Sequence, residues 1–153
     1  MKKIKRKAVR AIVFVENKIM SMYRERDNSI YYTFPGGGQE KSETKEECAI
    51  REVIEEFGIN VKPIKQVYVY ENNRSIEYFY ICEWISGEFG SGKGEEFQAG
   101  QTKGLYKPTL INIIDIPNLP LMPPEVAAAF YKDYMRNGET LRKNTKLICA
   151  TDD

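Results

Sequence analysis

The sequence predicts one α/β domain in which two helices pack against a mixed β-sheet. Three observations lead to this prediction. The chain has 153 residues, a length typical of one domain, and 42% of its residues are hydrophobic. Segments rich in β-branched and aromatic residues are interspersed with only two segments of helical spacing. Short turns join several of the strand-like segments, which favours hairpins over a regular alternation of strand and helix.

The first half of the chain predicts three strands followed by a helix. The predicted elements are strands at 7–15, 18–25 and 31–34 and a helix at 44–57. Asn17 marks a tight turn between the first two strands, so they form a hairpin. Pro35 and the three glycines after it end the third strand. Gly58 stands directly after the helix, where glycine commonly forms the cap.

The second half predicts a hairpin, short strands and a second helix. The predicted elements are strands at 61–71 and 75–85, one or two short strands within 105–114 interrupted at Pro108, and a helix at 125–136. Residues 86–104 and 116–124 are predicted to be loops because they are rich in glycine and proline, respectively. Residues 1–153 are expected to form one domain, with the polar segment 139–153 as a flexible tail.

Composition excludes several classes of function. The chain has no histidine, which rules out Ser-His and Cys-His nucleophiles and His-ligated metals. Its three cysteines are widely spaced and indicate neither a disulfide framework nor a zinc site. The net charge is +1, and no apolar segment approaches the roughly 18–20 residues that cross a bilayer. We therefore expect a cytoplasmic protein with no membrane or nucleic-acid partner.

The first helix combines an apolar stripe with a cluster of carboxylates. The apolar residues at helical spacing are Ile50, Val53, Ile54 and Phe57. Glu52, Glu55 and Glu56 follow one another at i, i+3 and i+4, on a face nearly opposite that stripe. The stripe is expected to pack on the core, and the three glutamates are expected to be exposed.

This cluster of glutamates is unfavourable for an isolated helix. Like charges at i, i+4 repel, and two of the glutamates lie in the last turn, where the helix dipole disfavours anions. Hard divalent cations prefer oxygen ligands and would relieve the repulsion. A metal site and a merely solvated acidic face both remain open on these three residues alone.

A longer pattern distinguishes between these two interpretations. Gly37, five residues, Glu43 and seven further residues precede the segment 51–59, which reads Arg-Glu-Val-x-Glu-Glu-x-Gly-Ile. This spacing resembles the box motif of the Nudix hydrolase family (MutT-like), and every specified position of the motif is filled. The motif covers only residues 37–59. The predicted strands before and after it, and the predicted helix near the C-terminus, are of the types that the family has.

The resemblance implies a fold and a metal-dependent hydrolysis. It implies an α/β/α sandwich in which a loop, a helix and a second loop hold Mg²⁺ or Mn²⁺ over a diphosphate. Glu52, Glu55 and Glu56 match the metal-binding glutamates of the family, and the carbonyl of Gly36 is a further candidate ligand. Glu52 or Glu56 would also orient or deprotonate the attacking water.

Arg51 and Glu43 match a pair in the family in which the arginine positions a catalytic glutamate. The alternative is an ordinary surface salt bridge, which contributes little to stability. We expect the positioning role.

Three further residues are weaker candidates, two of them in the glycine-rich loop. Glu96, or its neighbour Glu95, is a candidate for an additional metal ligand, and Lys93 is a candidate for a phosphate contact. Lys93 ends the segment GEFGSGK, which nearly matches a phosphate-binding P-loop. Gly94 replaces the required hydroxyl residue, so we infer no kinase or ATPase. Asn118 either contacts a base, as an asparagine does in some family members, or is a turn residue.

The expected substrate is a small nucleotide. A nucleoside triphosphate, including an oxidised or modified dNTP, is the leading expectation, with cleavage to a monophosphate and pyrophosphate. ADP-ribose, dinucleoside polyphosphates and RNA 5′ ends are alternatives. A module that binds nucleotides without cutting them is a further alternative, which the complete set of glutamates disfavours. The protein is expected to be a monomer or a homodimer.

Overall fold

The computed structural model describes residues 4–92 and 104–151. Within these residues the chain forms nine strands and two α-helices. The strands are β1 (Arg6–Val15), β2 (Lys18–Arg26), β3 (Ser29–Thr33), β4 (Gly36–Gly38), β5 (Ile59–Glu71), β6 (Ser75–Gly87), β7 (Leu105–Asn112), β8 (Leu121–Met122) and β9 (Lys146–Cys149). The helices are α1 (Lys45–Phe57) and α2 (Pro124–Asn137).

The strands form a mixed sheet centred on β1. β1 runs parallel to β6 along most of its length, and on its other side it pairs antiparallel with the short β4. The hairpin between β1 and β2 is confirmed, with Phe14 opposite Ile19. β2 continues the sheet by pairing antiparallel with both β3 and β7. β5 and β6 form the second predicted hairpin.

The two helices cover opposite faces of β1. Side chains alternate between the two faces of a strand. Ile12 accordingly belongs to a buried cluster that contains Phe130 of α2, whereas Val13 belongs to a second cluster that contains Val53 and Phe57 of α1. The sheet therefore lies between α1 and α2, which confirms the predicted sandwich.

Local sequence determines where α1 begins and ends. The Thr44 hydroxyl accepts a hydrogen bond from the backbone N–H of Glu47, and the Glu47 carboxylate accepts one from the N–H of Thr44. This reciprocal capping box satisfies two amide groups that the first turn leaves unpaired. Gly58 ends the helix with φ of 74°, a left-handed conformation that glycine adopts without steric cost.

The segment after the glycine-rich loop differs from the prediction. β7 is one continuous strand, and Pro108 lies within it opposite Met22. Proline is tolerated in edge strands, and β7 pairs only with β2 among the described residues. A 3-10 helix at Ile113–Asn118 runs from the end of the predicted strand segment into the predicted proline-rich loop, and the loop also contains the short strand β8, which pairs with β3.

The expectation of a flexible tail is wrong for most of its length. Leu141 is fully buried, and Ile148 is 8% exposed within the cluster beneath α2. β9 pairs in parallel with β5, with Tyr68 opposite Lys146. The segment is polar on average, but Leu141 and Ile148 enter the core. Among the described residues no helix is long and apolar enough to span a membrane.

Candidate active site

The three glycines before α1 form the short strand β4 against β1. Gly36 pairs with Arg10 and Gly38 pairs with Ala8. Gly36 has φ of 140°, and a Cβ atom there would collide with the carbonyl oxygen of Val9. Only glycine therefore allows this backbone to lie directly against β1 while facing α1.

The carboxylate of Glu52 lies directly over Gly37. A Cβ atom at Gly37 would be 2.7 Å from the carboxylate carbon and both oxygens of Glu52. The Glu52 side chain is only 15% exposed. Burial is the largest cause that raises the pKa of Glu52, and Glu55 raises it further, whereas Arg51 and Arg10 lower it. The first box carboxylate is thus packed against the glycine strand.

Glu56 is buried, contrary to the expected exposed face. Its residue exposure is 7%, and its Oε1 accepts a hydrogen bond of 2.9 Å from the N–H of Gly36. Burial raises its pKa to about 8, the charge of Glu52 adds to this shift, and the Gly36 N–H and Arg10 oppose it. The helical wheel could not show that β4 covers this side of α1. Ile54, predicted to face the core, is instead 42% exposed.

Arg51 contacts three carboxylates of the box motif, those of Glu43, Glu52 and Glu55. It binds Glu43 through Nε and Nη2, at 2.5 and 3.0 Å, and its Nη1 lies 3.0 Å from Oε1 of Glu52. Its Nη2 also donates to the carbonyl of Gly38 at 3.0 Å. Glu55 is 53% exposed and lies 3.4 Å from Nη1 of Arg51. One guanidinium therefore connects the loop before α1, the glycine strand and two glutamates of α1.

Sequence reasoning missed the role of Arg10. Its Nη1 donates to the carbonyls of Gly36 and Phe34, at 3.0 and 3.3 Å, and its Nε donates to Glu77 at 2.9 Å. Arg10 thus holds the very carbonyl that the sequence suggested as a metal ligand. A charged residue inside an otherwise apolar strand was the available signal.

Arg24 of β2 is a second arginine that the sequence did not single out. Its Nη2 is 4.0 Å from Oε2 of Glu56, and its Nε donates to the hydroxyl of Thr33 at 3.2 Å. The guanidinium also lies over the ring of Tyr106, 4.6 Å from its centroid. These contacts hold a positive charge beside the buried carboxylate.

The donor set meets part of what a hard divalent cation needs. Glu52 and Glu56 are largely buried carboxylates, and burial raises the pKa of both; the charge of Glu52 adds to the shift of Glu56, and a bound cation would relieve this. Within residues 4–92 and 104–151, however, no three acidic or cysteine side chains are grouped so that they could hold one ion. Glu55 is directed to Arg51, so it would have to turn to join the other two.

Cys48 lies close to the site but is not a nucleophile. Its Sγ is 3.6 Å from the carbonyl oxygens of Gly37 and Gly38. Burial raises the pKa of the thiol to about 12, and Glu43 contributes to the shift. Since the thiolate is the reactive form, this environment disfavours a reactive Cys48.

No contact among the described residues links the remaining candidate site residues to the glutamates of α1. Asn118 is exposed at the end of the 3-10 helix before β8, and its side chain makes no hydrogen bond to another described residue. Lys93, Glu95 and Glu96 lie outside the described residues. Their assignments stay predictions.

Several solved structures share this fold at low sequence identity. An ADP-ribose pyrophosphatase from Streptococcus suis aligns with a TM-score of 0.62 at 18% identity, over 96% of this chain and 100% of its own. A Nudix hydrolase from Nitrosomonas europaea aligns with a TM-score of 0.70 at 17% identity, over 88% and 91%. A MutT protein from Methanosarcina mazei aligns with a TM-score of 0.60 at 18% identity, over 89% and 96%.

The family follows from the sequence match together with this site. The NUDIX domain model matches residues 4–112, and the chain therefore belongs to the Nudix family. This membership places it among the hydrolases that act on phosphoric anhydride bonds. No curated protein matches the chain.

Proposed function

We propose that the protein is a pyrophosphohydrolase, dependent on Mg²⁺ or Mn²⁺, that cleaves a diphosphate bond in a nucleoside diphosphate derivative. A nucleoside triphosphate, cut to a monophosphate and pyrophosphate, is the favoured substrate. The observation that carries this proposal is the packing of Glu52 and Glu56 against the glycine strand. A buried and a largely buried carboxylate beside the glycine strand, in a chain without histidine, suit metal-assisted hydrolysis better than covalent catalysis.

Glu52, Glu55 and Glu56 would hold the metal, with the Gly36 carbonyl and Glu96 as further proposed ligands. When bound, the metal supplies charge neutralisation at the phosphate oxygens and a more acidic water. Arg10 now donates to the Gly36 carbonyl, but a carbonyl oxygen has two lone pairs, so this contact and metal ligation are not mutually exclusive.

The protein's own residues would position the reacting groups. Arg51 holds Glu52 at 3.0 Å, and Glu43 in turn holds Arg51 through two contacts. A bidentate pair restricts the orientation of the guanidinium more than a single contact does. Glu52 or Glu56 would then receive the proton of the attacking water from a fixed position. We propose Arg51 and Glu43 as positioning residues on this basis.

The choice of substrate is not decided by the fold. An ADP-ribose pyrophosphatase and a MutT protein share it at similar TM-scores. Base contacts by Asn118 and phosphate contacts by Lys93 remain proposals. The presence of all three box glutamates favours an enzyme over a module that only binds nucleotides.

The experiment that tests this function is a substrate panel with Mg²⁺ or Mn²⁺. It contains nucleoside di- and triphosphates, oxidised dNTPs, ADP-ribose, nucleotide sugars, dinucleoside polyphosphates and 5′-triphosphate RNA. Phosphate release with and without added pyrophosphatase or phosphatase identifies the bond that breaks. We expect metal-dependent formation of a nucleoside monophosphate and pyrophosphate.

Two variants test whether turnover depends on the proposed metal site or on any glutamate of the surface. Glu56→Gln should lose turnover of every substrate, because it removes a charge from the metal site. Glu83→Gln, an exposed glutamate in β6, should retain it. Hydrolysis by Glu56→Gln at the wild-type rate, or the lack of any metal-dependent hydrolysis in the panel, would count against the proposed function.

A further inference from the structure

A cationic cavity lies next to the glycine strand. Its volume is about 330 Å³, which is large enough for a phosphate group and its hydration. The residues that line it are Arg6, Arg10, Arg24, Tyr31, Thr33, Gly36 and Gly37. Three guanidinium groups and no carboxylate belong to this lining, so the cavity is suited to an anion.

The three arginines are neutralised to different degrees. Arg10 is paired with Glu77 of the neighbouring strand β6, and Arg24 is 4.0 Å from the buried Glu56. Arg6 has no carboxylate partner among residues 4–92 and 104–151. The cavity therefore keeps at least one uncompensated positive charge.

The guanidinium of Arg6 lies against the glycine strand. A Cβ atom at Gly38 would be 3.0 Å from Nη2 of Arg6. Glycine at this position therefore leaves room for the guanidinium beside the strand. Arg6 lies on the face of the glycine strand opposite Glu52, and the cavity adjoins the glutamates through Arg24, which also lines it and is 4.0 Å from Glu56.

A second cavity continues the first one away from the glutamates. It has a volume of about 290 Å³ and shares Arg10 and Thr33 with the first. Its further lining residues are Tyr70, Asn72, Glu77, Met122, Pro123 and Pro124. Here the charge of Arg10 is balanced by Glu77, and most of the wall is apolar or neutral. This part of the groove suits an uncharged portion of a ligand.

We propose that Arg6, Arg10 and Arg24 form a phosphate subsite that holds a phosphate group beyond the diphosphate bound at the glutamates. The subsite would select nucleoside triphosphates over substrates that carry a neutral sugar at that position. The assignment of the substrate class rests on the proposed function, whereas binding of a polyphosphate by the arginines does not require turnover.

Arg6 offers a clean test because its side chain makes no hydrogen bond or ion pair within the described residues. Arg6→Gln removes the charge, and Lys7→Gln removes an exposed charge from the next position of β1, which faces the opposite way. Thermal unfolding of both variants should match the wild type. Arg10 and Arg24 are less suitable, since their replacement disturbs the glycine strand and Tyr106.

The first measurement is calorimetric titration with inorganic triphosphate, with and without Ca²⁺. We expect Arg6→Gln to weaken binding about fivefold and Lys7→Gln to leave it unchanged, because a charge at contact distance matters more than a screened one. Three results would overturn the subsite. These are equal effects of the two substitutions, no effect of Arg6→Gln, and no binding of triphosphate by the wild type with or without Ca²⁺.

The second measurement is the ratio of kcat/KM for a nucleoside triphosphate to that for ADP-ribose. Arg6→Gln should lower this ratio about fivefold, and Lys7→Gln should not change it. A ratio that Arg6→Gln leaves unchanged would overturn the selection of substrate. If the wild type hydrolyses neither compound but binds triphosphate through Arg6, the subsite stands and the proposed function fails.

Discussion

Arg51 binds both carboxylate oxygens of Glu43, with Nε at 2.5 Å from Oε2 and Nη2 at 3.0 Å from Oε1. The side chain of Glu43 is 11% exposed and that of Arg51 is 25% exposed. The same guanidinium contacts Glu52, so the orientation of a box carboxylate depends on an ion pair with the loop that precedes the helix. The pair is thus more than a solvated surface bridge.

Arg51→Lys tests whether the fork of the guanidinium matters. Lysine keeps the charge but cannot contact Glu43, Glu52 and the Gly38 carbonyl in one plane. We expect kcat to fall on the order of a hundredfold, because small displacements of catalytic groups are costly. Stability should fall by only about 1 kcal/mol. Steady-state kinetics and chemical denaturation check this, with the exposed Arg26→Lys as control; equal kcat in the two variants would contradict the positioning role.

Glu43→Gln tests the pair of Arg51 and Glu43 through the pH dependence of stability. Arg51 lowers the pKa of Glu43 from 4.5 to about 2 in the folded protein. A lowered pKa stabilises the fold above the unfolded-state value, and this contribution is lost as pH falls from about 4.5 to about 2. Wild type should therefore exceed Glu43→Gln in free energy of unfolding at neutral pH. The difference should shrink toward zero over that acidic interval, and denaturant titrations at several pH values measure it.

Glu56→Gln should remove activity without loss of stability. The glutamine Oε1 can still accept the hydrogen bond from the Gly36 N–H, and the neutral amide has no charge to desolvate. Mg²⁺ should raise the Tm of the wild type, because it binds only the folded protein, and should raise that of the variant less. A large drop in the metal-free Tm of Glu56→Gln would show that the carboxylate is structural.

Gly37→Ala tests the contact between the glycine strand and Glu52. The added Cβ would lie 2.7 Å from the Glu52 carboxylate, so that side chain must move. Because the displaced group is the end of a flexible side chain, we expect a stability loss of about 1 kcal/mol and a fall in kcat on the order of a hundredfold. Steady-state kinetics and thermal unfolding measure these two effects. An unchanged kcat would show that Glu52 does not take part in catalysis.

Leu141→Ala tests the fixed position of the C-terminal segment. Leu141 is fully buried, and its truncation should cost about 2–4 kcal/mol. Leu147 is 61% exposed, so Leu147→Ala should cost less than about 0.5 kcal/mol. Denaturant unfolding of both variants gives the comparison. Similar small effects would indicate that the segment is loosely attached.

Features that depend on neighbouring residues were predictable from the sequence. Thr44, Glu47 and Gly58 set the limits of α1, and each acts within one turn of the helix. The resemblance of the box motif to the family implied the pair of Arg51 and Glu43, which are only eight positions apart along the chain. These contacts form wherever the local helix forms.

Features that depend on distant parts of the chain were not predictable. Glu56 is buried because β4 covers it, and the helical wheel contains no information about that strand. Arg10 finds Glu77, which is 67 positions away, only through the parallel pairing of β1 with β6. The strand β9 was missed because it has only four residues within a polar segment and its partner β5 is remote in the sequence.

The pairing of β9 with β5 also bears on self-association. An unpaired strand edge offers N–H and C=O groups to another molecule, and β9 shields only positions 68–71 of β5. The rest of β5 contains Pro63, which lacks an N–H, and register shifts near Asn60, Pro63 and Gln66. A proline and bulges make an irregular template for intermolecular β-pairing. Among the described residues β9 is the last strand of the sheet, so its own edge is only four residues long. Loss of β9 would uncover the regular part of β5 and make the open edge of that longer strand continuous, which favours aggregation.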